Sequence, residues 1–138
     1  DSRASNPDLD LLAEMRHAAT QHHVKGEELL RMVTVDAASL LRLSDAGTLC
    51  PGVSADFVVL PQGSDGSIGS ILAADRSQVR LVVLGGCAQV GDTDLLPAFE
   101  AIGIHWVEAR VDGKAKALAK ALADKIRRSS MQEPGLEV

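Results

Sequence analysis

Two short apolar runs, residues 79–84 (Val-Arg-Leu-Val-Val-Leu) and 87–90 (Cys-Ala-Gln-Val), meet across Gly85-Gly86. Paired glycines permit the positive φ angles of a tight turn, so these runs are expected to fold back on each other as an antiparallel hairpin. Two further strands are expected. Residues 55–60 (Ala-Asp-Phe-Val-Val-Leu) form a β-branched apolar run that reads as a buried strand, and residues 105–111 alternate until Asp112-Gly113 ends them.

The first 46 residues have a different texture. A helix is expected over residues 7–22, with Ser5 or Asn6 as cap, Pro7 at its first position and Asp8 and Asp10 in its first turn. Leu11, Leu12, Met15, Ala18, Ala19 and His22 fall on one stripe that would pack inward. Lys25-Gly26 interrupts the pattern. Glu27-Glu28 opens a second helix carrying Leu29, Leu30, Met32 and Val33. Thr34 caps a third, with Ala37, Ala38, Leu40 and Leu41 as its packing set. Gly47 to Gly52 is turn chemistry, and residues 61–77 read as Gly- and Ser-rich surface loop. A short helix fits residues 94–102. An amphipathic helix over residues 114–128 sets Leu118, Leu122 and Ile126 against a solvated basic face that includes Lys114, Lys116, Arg127 and Arg128. Residues 129–138 carry no pattern and are expected to fray.

Composition narrows the function classes. The formal charge of −5 opposes a phosphate-tracking groove, and Phe57, Phe99 and Trp106 are too few aromatics for a base-stacking surface. Nucleic acid is therefore not an expected partner. No apolar run approaches the length of a membrane span, and the cytoplasm is the expected compartment. Cys50 and Cys87 lack metal or redox spacing and read as reduced, partly buried thiols. Gly47 to Gly52 has the glycine spacing of a phosphate loop, but Val53-Ser54 stands where Lys-Ser/Thr is required. The four histidines do not suggest a metal site. His22 and His23 are adjacent and diverge, His17 and His22 are five apart and point in different directions, and His105 lies on a distant strand.

Residues 1–16 are Asp-Ser-Arg-Ala-Ser-Asn-Pro-Asp-Leu-Asp-Leu-Leu-Ala-Glu-Met-Arg. On its own, Asp1 is an acid ahead of a helix start, complementing the dipole. The run as a whole resembles the segment after the last barrel strand of amidohydrolase-superfamily enzymes. It is most similar to the hydrolytic deaminases and s-triazine hydrolases, a subgroup that includes enzymes like the cytosine, aminodeoxyfutalosine and S-adenosylhomocysteine deaminases. Residues 32–41 resemble that family's M-x-T-x-x-x-A-x-x-L helix. Residues 47–60 resemble its G-x-(I/L)-x-x-G-x-x-A-D-(L/F)-V-(V/L)-(L/F) signature, and residues 79–90 resemble the hairpin that follows. The segments occur in the family's order over residues 1–92. Ser2 departs from the glycine common in several subgroups, which leaves the substrate class open.

The resemblance implies an α+β fragment: the final helices of a metal-dependent hydrolase β/α barrel (1–46), part of the flanking small β domain (47–92), a helix-strand-helix extension of it (93–128) and a flexible tail (129–138). It implies that Asp1 is both a metal ligand and a catalytic residue, sharing a water bound to a divalent ion, zinc or iron. Such an ion lowers the water's pKa to about 7. The implied reaction is hydrolytic deamination or dechlorination of a heterocyclic, nucleoside-like small molecule. The family's His-x-His pair, further His and Glu have no counterpart in this chain. The chain alone is thus expected to hold no metal and to be inactive, with apolar helix faces, including Leu11, Leu12 and Met15, that the barrel would cover. Self-association into a homo-oligomer stays open. Two other readings stand beside this one: a non-catalytic stand-alone or remnant interaction module, and an imidazolone or cyclic-amide hydrolase branch.

Overall fold

The computed structural model describes residues 10–64, 66–130 and 133–138. Three helices come first: α1 (Leu11–Gln21), α2 (Gly26–Val33) and α3 (Val35–Leu40). Then follow β1 (Phe57–Val59), α4 (Gly66–Ala73), a 3-10 turn (Arg76–Gln78), β2 (Leu81–Leu84), β3 (Cys87–Gly91), a second 3-10 turn (Thr93–Leu95) and α5 (Pro97–Glu100). The chain closes with β4 (Trp106–Val111), β5 (Lys114–Ala119), α6 (Lys120–Arg128) and β6 (Leu136–Glu137). All six strands belong to one sheet in the order β1-β2-β3-β5-β4-β6, with every pairing antiparallel.

The β2–β3 hairpin stands where Gly85-Gly86 placed it, with φ of 56° and 76° at the two glycines. Val82 pairs with Val90 but Val83 with Ala88, so Gln89 is the extra residue of a bulge, which adds local twist. β5 is central, and its side chains alternate between two cores. Ala117 and Ala119 join Leu81, Val83, Ala88 and the fully buried Phe99 on one face. Leu118 joins Ala109 and Ala123 of α6 on the other. Gly91 makes room for Phe99: a Cβ there would lie 2.9 Å from Phe99 Cε2 and 3.2 Å from Leu81 Cδ1. Gly91→Ala is therefore expected to cost about 1–3 kcal/mol by overpacking. Urea denaturation checks this, and an unchanged midpoint would mean that the Phe99 ring yields.

In the helical part, Gly26 is the point of closest approach to α4, since a Cβ there would sit 2.2 Å from Ile68 Cγ2. Arg16 of α1 hydrogen-bonds the Ala74 carbonyl just beyond α4.

Several expectations are corrected. α1 begins at Leu11, capped by Asp10, whose Oδ1 accepts from Ala13 N at 3.0 Å, so Asp10 is the cap rather than a first-turn acid. The caps expected at Ser5 and Asn6, and Pro7, lie outside the described residues. Along the α1 stripe Met15 is buried, while Leu11 and His22 are exposed. Thr34 precedes α3 but does not cap it, because its hydroxyl donates back to Leu30 O at 2.6 Å. Residues 55–60 yield a half-buried edge strand, with Val58 exposed, because among the described residues no strand pairs beyond β1. The expected loop at 61–77 contains α4. Its Ser70 hydroxyl is satisfied locally, donating to Gly66 O and accepting from Gly63 N, so a Ser-rich segment can be buried.

The expected helix over 114–128 begins only at Lys120. Its first six residues are β5, because Asp112-Gly113, with φ of 49° and 79°, turns the chain back along β4. Lys116 is accordingly buried and not on a solvated face. The tail is tied down too. β6 pairs with β4, matching Val111 to Leu136 and Arg110 to Glu137.

Candidate functional site

Asp1, the residue on which the expected chemistry rests, lies outside the described residues. What the structure shows is how the signature segments that follow it in the sequence are built. The Asp56 carboxylate accepts from Gly85 N, and Ala55 O accepts from Gly86 N at 3.0 Å. The Ala-Asp pair thus staples the start of β1 to the tip of the β2–β3 hairpin, rather than bonding the backbone beside it. Arg80 N donates to Val59 O at 2.8 Å and closes the other end of the strand. Gly47, at φ 84°, packs where a Cβ would meet Ala38 Cβ and Thr34 O, each at 2.9 Å. Gly52, at φ 94°, turns in open space. In this fold Gly47, Ala55 and Asp56 of the signature thus make structural contacts.

A cluster of titratable side chains lies at the end of the β2–β3–β5 ladder. Lys116, 1% exposed, donates to Val79 O at 2.6 Å and to the Asp92 carboxylate. Arg80 bonds the other Asp92 oxygen at 3.3 Å and also reaches Asp94, while Lys114 stands 3.5 Å from Asp92. Burial works to raise the Asp92 carboxyl. The hydrogen bond and charge of Lys116, helped by Arg80 and Lys114, outweigh it and hold that carboxyl below its usual value. Each group in the cluster is paired, so its chemistry is that of an ion network rather than of a free base or nucleophile. The sequence signal was thin: an Asp directly after a strand, and a lysine at an inward position of a strand read as helix.

The histidines differ from expectation. The rings of His17 and His22 approach edge to face, with centroids 5.8 Å apart. They meet because α1 ends at Gln21 and His22 leaves helical geometry, which breaks the spacing argument that separated them. Both are exposed, as is His105. Among the described residues no group of three or more His, Cys, Asp or Glu side chains could hold a metal ion. These residues therefore do not fit a complete metal centre. Cys50 and Cys87 are free thiols and both are exposed, not partly buried. Among the described residues no helix is long and apolar enough to cross a membrane.

Comparison with known sequences agrees with the order of the segments. Residues 1–125 match the model of the amidohydrolase family. The chain belongs to the amidohydrolase family. Among curated relatives of this family member is a protein from Desulfitobacterium hafniense (strain DSM 10664 / DCB-2) named 5-methylthioadenosine/S-adenosylhomocysteine deaminase. It is 34% identical over 137 residues, covering 88% of this chain and 31% of the relative. A protein of the same name from Pelotomaculum thermopropionicum is 36% identical over 102 residues, covering 62% of this chain and 23% of its own length. The chain thus spans about a third or less of the curated relatives it matches. No solved structure matches it. The amidohydrolase match runs from Asp1 through β5 and into α6, so it takes in the first five helices and every strand but β6.

Proposed function

We propose that this chain is the C-terminal part of a metal-dependent amidohydrolase that hydrolytically deaminates a heterocyclic, nucleoside-like small molecule. The single observation that carries the reading is the family match over residues 1–125, which includes Asp1 and every signature segment. The names of the relatives favour an adenosine-type thioether nucleoside as substrate over a dechlorination or a cyclic amide. In this reading residues 1–46 are the last helices of the barrel, residues 47–92 belong to the flanking β domain, residues 93–128 extend it, and residues 129–138 are the tail beyond. Asp1 serves as one ligand of a divalent ion, zinc or iron, whose other ligands come from polypeptide outside this chain. The compartment is the cytoplasm.

The exposed apolar side chains of the helical part support that division. Met32, Val35, Leu40, Leu41 and Leu43 are all exposed, and Leu49 just after them is too. Large apolar side chains exposed in this number over one short stretch favour association with another protein surface. The barrel would be that surface.

The test is metal analysis and a deaminase assay with the purified 138-residue chain. The expected result is no stoichiometric zinc or iron and no release of ammonia from 5-methylthioadenosine or S-adenosylhomocysteine. Joined to the βα repeat that carries a His-x-His pair, the same residues should regain both. Tight stoichiometric metal or turnover by the chain alone would overturn the division of the site.

A further inference from the structure

We infer that Arg76 is a latch, and that residues 133–138 are a closing strap which opens and shuts on the β4 edge of the sheet independently of the sheet itself. The latch sits on a rigid base. Its 3-10 turn is held by a reciprocal cap in which Asp75 accepts from Gln78 N and the Gln78 side chain accepts from Asp75 N. From that base the Arg76 guanidinium forks onto Asp112, Nε and Nη2 each donating to one carboxylate oxygen at 2.7 Å. The same guanidinium reaches the strap twice, with Nη1 donating to Glu133 at 3.2 Å and Nη2 to the Pro134 carbonyl at 2.5 Å. One side chain thus joins the 3-10 turn, the β4–β5 turn and the C-terminal segment.

The strap is shaped to this latch. Gly135 has φ 77°, and a Cβ there would lie 2.0 Å from Asp112 Oδ1 and 2.7 Å from Arg76 Nη2. Only glycine lets the strap pass beneath the ion pair. Once seated, Gly135 O accepts from Asp112 N at 2.7 Å, and β6 adds a two-residue ladder to β4. Among the described residues, its main apolar anchor is Val138, which packs against the core cluster of Ala109, Leu118 and Ala123. Between the strap and α6 lies an open groove of about 600 Å³, bordered by Ile126, Arg127, Leu136 and Val138, where a tightly packed strap would leave none. A two-residue ladder beside an unfilled groove is a unit that opens locally, below the free energy of global unfolding. Shut, the strap covers the backbone of Arg110 and Val111, and so blunts a sheet edge that would otherwise pair with other chains.

Amide exchange of the 138-residue chain, followed by mass spectrometry or NMR, tests this. The reporters are Asp112 N, which donates to Gly135 O, and Leu136 N, which donates to Glu133 O. The controls are Gly86 N and Lys120 N, bonded to Ala55 O and His105 O. Arg76→Gln is expected to speed exchange at both reporters by about tenfold or more, the worth of a charge-assisted hydrogen-bond set, and to leave the controls unchanged. Arg76→Lys keeps the charge but loses the fork and should fall between. Gly135→Ala should act like Arg76→Gln from the strap side. In the unmodified chain, raising salt from about 50 mM to about 500 mM screens the latch and should speed the same two amides, a test that needs no variant. Reporters that do not respond to Arg76→Gln or to salt would overturn the latch. Reporters and controls rising together would overturn the independent strap.

Discussion

Lys116→Ala is expected to destabilise the chain by about 3 kcal/mol, because it removes the closest partner of a largely buried carboxylate and leaves it only its more distant ones. Lys116 is 1% exposed and the Asp92 side chain 12%, so water cannot replace the lost ammonium. Arg80 and Lys114 stay, but they hold Asp92 at 3.3 and 3.5 Å from more open positions. Replacing both partners by apolar residues of similar size, Lys116→Met with Asp92→Leu, should recover much of the loss, since it is the unpaired charge that costs most. Urea denaturation of the three proteins checks both statements. The effect has a pH signature whose sign is fixed. The Asp92 carboxyl is depressed in the fold, so its contribution is complete above its unfolded pKa and fades as pH falls through the lower folded value. Without Lys116 that depression shrinks. The gap between wild type and Lys116→Ala should therefore narrow below about pH 4, where an unperturbed aspartate takes up its proton. A gap that stays constant with pH would show that lost packing of the lysine stem, not charge, is responsible.

The same lysine explains why part of the sheet was illegible. Residues 114–119 read Lys-Ala-Lys-Ala-Leu-Ala, residue types that favour helix, and they run directly into the sequence of α6. Local propensity points to one long helix. The deciding information lies elsewhere: Asp112-Gly113 sets a hairpin turn, and Asp92, far away in sequence, supplies the counter-charge that lets Lys116 face inward. The glycine pair at 85–86 was legible for the opposite reason, since its turn and both flanking strands agree within twelve residues. α4 was hidden because glycine and serine suggest loop, and Ser70 is acceptable in a helix only through partners that the sequence does not reveal. The tail was hidden because its order comes from Arg76, more than fifty residues upstream.

The candidate site divides along the same line. The family signature was readable because its residues are close in sequence and specific in type, yet the partner of its Asp56 lies outside the run. That partner is not local backbone but Gly85 N, across the hairpin. The approach of His17 and His22 depends on where α1 ends, and a periodicity argument that extends the helix by one residue separates the rings. Asp1 is legible only through resemblance. Composition and spacing around it say no more than that an acid precedes a helix.

In the longer polypeptide proposed above, Asp1→Asn is expected to lower turnover by about 10²–10⁴-fold, the contribution of a positioned proton-transfer group. Asparagine matches aspartate in size but carries no charge for the metal and cannot take up the proton of an attacking water. Metal content of the purified variant should fall with it, because a neutral amide is a poorer ligand for a hard divalent ion. Asp10→Asn is the matched control. Asp10 is an acid at the start of α1, and its shown role is to accept from Ala13 N, which asparagine does equally well. Both metal content and turnover of Asp10→Asn should stay near those of the parent. If Asp1→Asn falls in both while Asp10→Asn holds, acidity near the helix start is not the explanation and Asp1 is a member of the metal centre. If Asp1→Asn keeps turnover within a few-fold, Asp1 is not a metal ligand. The family membership would then stand, but its metal-ligand position would have to be sought in another residue.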